Sequence, residues 1–129
     1  EYSKMGFPKM ILDKERVVGK KQRENFQKAF RAGVKIAYGT DAGVYPHGLN
    51  GRQFAKMVEW GMTPMQAIQA ATISGADLIG WKDKVGSIAV GKYADIVAVT
   101  ADPLKQISVL ENVDFVMKGG FVFKNQVTK

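Results

Sequence analysis

The sequence predicts an α/β fold whose first two-thirds mix helices with a strand and whose last third is all β. Three observations carry this. Val18, Gln22, Phe26 and Phe30 recur at spacing four, with Ala29 beside them, inside a Lys/Arg-rich segment, as in an amphipathic helix. The short apolar run Val34-Lys35-Ile36-Ala37-Tyr38 precedes Gly39, and its β-branched content suits a strand buried on both faces. Near the end of the chain, Asp114 to Lys118 and Phe121 to Phe123 flank Gly119-Gly120, a good two-residue hairpin turn.

The elements follow in order. Residues 1–12 read as an irregular lead-in around Pro8. A helix starts at Asp13, a plausible N-cap, and ends at Gly33 as its C′ residue. After the strand over 34–38 comes a loop from Ala42 to Asn50, with Gly43, Pro46 and Gly48 as turn formers. A second helix covers Gly51 to Trp60 and stops at Gly61. A third begins at Thr63-Pro64 with a capping-box pattern completed by Gln66, and runs to about Thr72. Ser74 then caps a short helix, Gly75 to Ile79. Beyond Trp81, Val85 to Ile88 and Ala94 to Val99 read as strands. Met57, Met62 and Met65 read as core filler rather than a binding surface.

Bulk properties narrow the function. The 129 residues suit one ordinary domain, and a hydrophobic fraction of 46% supports a packed core. The absence of cysteine excludes disulfide scaffolds, thiolate zinc sites and cysteine nucleophiles. It weakly favours a cytoplasmic protein and leaves export open, since the sequence does not begin with methionine and reads as a piece cut from a longer chain. No run approaches the roughly 18 apolar residues that span a bilayer, so no membrane partner is expected. The net charge of +7 is uneven: residues 1–35 hold ten Lys/Arg against four Asp/Glu, the rest nine against eight. Such a segment could be a basic module for nucleic acid. The solvated face of one helix is the commoner explanation, and no aromatic residues interleave with the cations as a stacking platform requires, so no nucleic-acid partner is expected.

The chemistry concentrates at Thr40-Asp41, just past the expected strand and before a helix, the edge where ligands collect in α/β folds. A carboxylate there can bind a divalent metal or take a proton; an aspartate can equally cap a loop. His47, the one histidine, sits between Pro46 and Gly48 and could contact substrate, ligate a metal or serve the loop's structure. One Asp and one His cannot complete a zinc site, which needs about four ligands. Asp95 and the segment Lys92-Tyr93-Ala94-Asp95 have a plain structural explanation at a strand entry.

Four separated segments resemble the C-terminal portion of the amidohydrolase superfamily and occur in the family's order. They are Ala32-Gly33-Val34-Lys35-Ile36-Ala37-Tyr38-Gly39-Thr40-Asp41-Ala42-Gly43, Gly61-Met62-Thr63-Pro64-Met65-Gln66-Ala67-Ile68, Ala70-Ala71-Thr72, and Gly86-Ser87-Ile88-Ala89-Val90-Gly91-Lys92-Tyr93-Ala94-Asp95-Ile96-Val97. The match is closest to the branch of imidazolonepropionase-like enzymes and metal-dependent Xaa-Pro dipeptidases and carboxypeptidases.

The resemblance implies the C-terminal part of a (β/α)8 barrel joined to part of a small β-sandwich, with residues 1–80 in the barrel and 81–129 in the sandwich. Lys35 to Gly39 would be the eighth barrel strand. Asp41 would match the aspartate that contacts the metal and shuttles the proton of the attacking water. Val44-Tyr45-Pro46-His47-Gly48 resembles the loop in which His47 could face the substrate. The implied cofactor is a divalent metal, Zn2+ in one or two copies, whose other ligands lie on earlier strands outside this chain. The implied activity is hydrolysis of C–N bonds, with dipeptides or N-acyl amino acids as the implied substrates. A full barrel needs about 250 residues, so this polypeptide alone is expected to be inactive. It is expected to depend on the upstream barrel as its partner, to expose apolar surface and to be prone to homo-oligomerisation. A relative that keeps the scaffold without the catalysis is the remaining alternative.

Overall fold

A computed structural model describes residues 6–43 and 45–127. Residues 1–5 of the expected lead-in and Val44 of the loop lie outside the described residues. The chain forms two compact units, one ending at Val34 and one beginning at Lys35.

The first unit is a single long helix, α1 (Lys9–Arg31). It starts four residues before the expected Asp13, with Pro8 at the N-cap and no side-chain cap. Lys9, Met10 and Leu12 are good helix formers, so the helix extends back to the proline. Asp13 lies inside the helix and pairs with Arg16 at 3.4 Å; Lys20 similarly pairs with Glu24 at 4.0 Å. The C-terminal end matches expectation. Gly33 N–H donates to the Phe30 carbonyl at 3.0 Å, and Val34 N–H to Ala29 at 3.1 Å, the two bonds of a Schellman cap. Along the expected apolar stripe, Phe26, Ala29 and Phe30 are half-buried, while Val18 and Gln22 are exposed.

In the second unit, the expected strand over 34–38 does not form: residues 34–40 carry no regular secondary structure. A strand exists only through its ladder, and among the described residues nothing pairs with this segment. One backbone bond, Tyr38 N–H to the Ala70 carbonyl at 2.9 Å, holds it instead.

Three helices follow: α2 (Arg52–Glu59), α3 (Pro64–Ala71) and α4 (Ile73–Leu78). The second helix ends as expected, with Gly61 N–H on Val58 and Met62 N–H on Met57. Thr63 makes the full capping box of α3: Gln66 N–H donates to Thr63 Oγ1 at 3.2 Å, and Thr63 N–H to Gln66 Oε1 at 2.8 Å. Met62 and Ala67, the N′ and N4 positions, are both buried, as a hydrophobic staple requires. The fourth helix starts two residues earlier than expected. Ser74 lies inside it and does not cap it, because α3 and α4 share Thr72 as their joint. The core consists of Met57, Met62, Ala67, Ala70 and Ala76. Met65, expected as filler, is 45% exposed.

The last third is a three-stranded antiparallel sheet, β1 (Ile96–Ala98), β2 (Phe115–Lys118) and β3 (Phe121–Asn125), in that order. A 3-10 helix, Ile107–Glu111, precedes β2 and had no sequence signal. The hairpin is the expected one. Gly119 and Gly120 have φ of 56° and 84°, the double left-handed pair of a type I′ turn. A bulge between Val116 and Met117 leaves Phe123 without a partner in the ladder, so the register passes from Lys124 to Val122. Asp95 Oδ1 accepts from Gly119 N–H of the hairpin turn at 2.7 Å, a structural role at the entry to β1 as expected. Lys92 Nζ donates to the carbonyls of Lys82 and Val85, bracing the strand entry.

The expected strand Val85 to Ile88 is a series of bends. Gly86 packs closely against Ala76 of α4 and the Thr72 joint instead of entering the sheet. A Cβ on Gly86 would stand 2.7 Å from Ala76 Cβ and 2.9 Å from the Thr72 carbonyl oxygen, and Gly86 has φ of 90°. Gly86→Ala is therefore overpacked and conformationally strained. It should cost about 1–3 kcal/mol, read as a lowered thermal midpoint; an unchanged midpoint would refute this packing.

Candidate active site

Asp41 and His47 lie on one loop, between the segment anchored at Tyr38 and the start of α2. The Tyr38 ring lies against Phe54 of α2, with centroids 4.5 Å apart and planes tilted by 35°. Its hydroxyl donates to the Asn50 carbonyl across the base of the loop. Burial first, and the neighbouring Tyr45 second, push the Tyr38 phenol up to about 12.

Above this anchor, Asn50 Nδ2 donates to Thr40 Oγ1 at 2.9 Å, and Tyr45 hydroxyl donates to the Thr40 carbonyl at 3.3 Å. Gly48 N–H donates to Asn50 Oδ1 at 3.1 Å. Asp41 has φ of 47°, the one non-glycine residue with positive φ among the described residues. Aspartate tolerates this region better than most residues, yet the conformation costs on the order of 1–3 kcal/mol. Such outliers cluster where structure around the residue fixes a functional geometry. The Asp41 side chain is exposed, and no hydrogen bond or ion pair to its carboxylate is found among the described residues. His47 is also exposed.

Among the described residues, no three His, Cys, Asp or Glu side chains gather as a metal site would need. The donor set available here is thus a single carboxylate, suited to one position in a coordination sphere and not to a whole one.

The sequence signalled Asp41 and His47. It gave no signal for Tyr38, Thr40, Tyr45 or Asn50 as their supports, because those hydrogen bonds join residues five to twelve positions apart. Asn50 was legible only as the last residue of the expected loop.

The profile of the amidohydrolase family matches residues 7–122. The chain belongs to this family. It is similar to the crystal structure of a Xaa-Pro dipeptidase with methionine bound in its active site: 50% identity and a TM-score of 0.86, over 92% of this chain and 29% of that one. It is 38% identical over 104 residues to the ochratoxinase of Aspergillus niger, spanning 77% of this chain and 21% of the enzyme. It is 41% identical over 68 residues to the imidazolonepropionase of Geobacillus kaustophilus, spanning 50% and 16%. The chain thus spans about a fifth of the length of the curated relatives it matches.

Two measurements check the loop. The fold favours the neutral Tyr38 phenol, so its contribution is complete below pH 10, its ordinary value, and is lost as pH rises through about 12. Denaturation across that window should show a steeper loss of stability in the native protein than in Tyr38→Phe; equal slopes would count against the buried phenol. At position 41, Asp41→Gly should hold or raise stability, whereas Asp41→Val should lower it by about 1–3 kcal/mol. The reverse order would show that the backbone there is not left-handed.

Proposed function

We propose that this chain is the C-terminal portion of a metal-dependent amidohydrolase that hydrolyses C–N bonds in dipeptides or N-acyl amino acids. Residues 1–80 supply the last strand and C-terminal helices of a (β/α)8 barrel, and residues 81–129 supply strands of a β-sandwich. The observation that carries the reading is Asp41: an exposed carboxylate held left-handed by its loop, in a chain whose family match runs through residues 7–122. The similarity to a Xaa-Pro dipeptidase and to ochratoxinase supports the C–N bond class. Residues 34–40 without a ladder, and large exposed side chains such as Leu78, Ile88, Phe121 and Phe123, fit a scaffold completed by further strands.

A divalent ion, zinc in this reading, would supply Lewis-acid chemistry at the substrate carbonyl and the attacking water. Asp41 would provide one of its ligands, with the others on earlier strands. The proton is the task of this chain. The Asp41 carboxylate takes it from the attacking water and returns it to the leaving nitrogen. The exposed side chain of His47, on the same loop, meets the substrate. Without the earlier strands, the chain has no activity of its own.

The test uses the protein with all its barrel strands and a panel of Xaa-Pro dipeptides and N-acyl amino acids. Asp41→Asn should lower turnover roughly 10²–10⁴-fold while circular dichroism and the thermal midpoint stay near those of the native protein. Turnover close to native would overturn the role of Asp41. A native protein that turns over no member of the panel would favour a scaffold without catalysis.

A further inference from the structure

Among the described residues, the Asn50 side chain bonds to both sides of the loop that carries Asp41 and His47. The carboxamide of Asn50 donates through Nδ2 to Thr40 Oγ1 at 2.9 Å and accepts through Oδ1 from Gly48 N–H at 3.1 Å. Its two ends therefore grip the residue just before Asp41 and the residue just after His47. A carboxamide suits this task because it presents a donor and an acceptor side by side in one rigid plane; a carboxylate offers acceptors alone.

Asn50 is itself fixed. Its backbone carbonyl accepts from the Tyr38 hydroxyl and from Gln53 N–H, which ties it to the aromatic anchor and to the first turn of α2. The peptide that sets φ of Asp41 is held as well, since the Thr40 carbonyl accepts from the Tyr45 hydroxyl at 3.3 Å. With no hydrogen bond to the Asp41 carboxylate among the described residues, its direction is set by the backbone. That backbone is held in its costly left-handed state by bonds on either side.

We infer that Asn50 is a positioning residue of the active site. Its carboxamide clamps Thr40 to Gly48, keeps Asp41 left-handed, and sets how far the Asp41 carboxylate stands from His47. The inference rests on the catalytic reading of Asp41.

In the protein with all its barrel strands, Asn50→Ala should lower kcat about 10- to 100-fold, the range for groups that orient a reacting residue, with KM little changed. Hydrogen exchange in a peptide covering residues 40–50 should quicken, while exchange elsewhere stays native. In an Asp41→Asn background, Asn50→Ala should cost nothing further, because the clamp acts through that carboxylate. A full additive loss in that background would show a general structural role and overturn the inference. Native kcat with unchanged exchange would do the same. If Asn50→Ala does not fold, Thr40→Val removes only the accepting oxygen and should give a smaller loss of the same kind; no loss there would also overturn it. Full turnover in Asp41→Asn would bring down the catalytic reading and the clamp together. Loss at Asp41 without effect at Asn50 would bring down the clamp alone.

Discussion

The Tyr38 amide donates to the Ala70 carbonyl at 2.9 Å, and the position of the candidate site depends on that bond. The segment before Asp41 has no ladder among the described residues, so its place is set from the side, by helices. Ala70 lies in the last turn of α3, where carbonyls have no partner within the helix. Tyr38 takes up one of these and lays its ring on Phe54 of α2. Because the Thr63 capping box fixes where α3 begins, it also fixes where the accepting carbonyl stands. A surface cap on one helix thus reaches the site through one backbone hydrogen bond.

What was legible in the sequence divides along the same line. Features decided within a few residues were read correctly: the capping box at Thr63, the glycines ending α1 and α2, and the Gly119-Gly120 turn. Each is a bond or dihedral set by neighbours in the chain. Features that need a distant partner were not. Residues 34–38 and 85–88 have strand composition, but one segment lacks a ladder and the other packs Gly86 against α4. Asp13 was misplaced because a residue type favoured at caps is also acceptable inside a helix when an arginine three positions on can pair with it. At the site, Asp41 was visible from its place after an apolar run, whereas its supports were invisible, since they meet only when the loop folds back on Asn50.

Family membership gives this arrangement its meaning. A single exposed carboxylate would ordinarily be unremarkable surface chemistry, and aspartates at loop starts are common. Here it belongs to a chain matched to the amidohydrolase family from residue 7 to 122, and it is the one non-glycine position among the described residues where the backbone accepts an unfavourable dihedral. The two facts are independent: one comes from similarity, the other from geometry. The chain spans about a fifth to a third of the length of these relatives.

The left-handed backbone at residue 41 also bears on how such a chain changes over generations. Holding an L-residue there is a standing cost in folding stability, and on the proposed role of Asp41 it is the carboxylate that repays it. In a lineage that kept the scaffold but lost the chemistry, substitutions toward glycine would be stabilising and would face no opposition. If Asp41 acts as proposed, the residue at this one position would then serve as a marker of lost catalysis, readable before any assay.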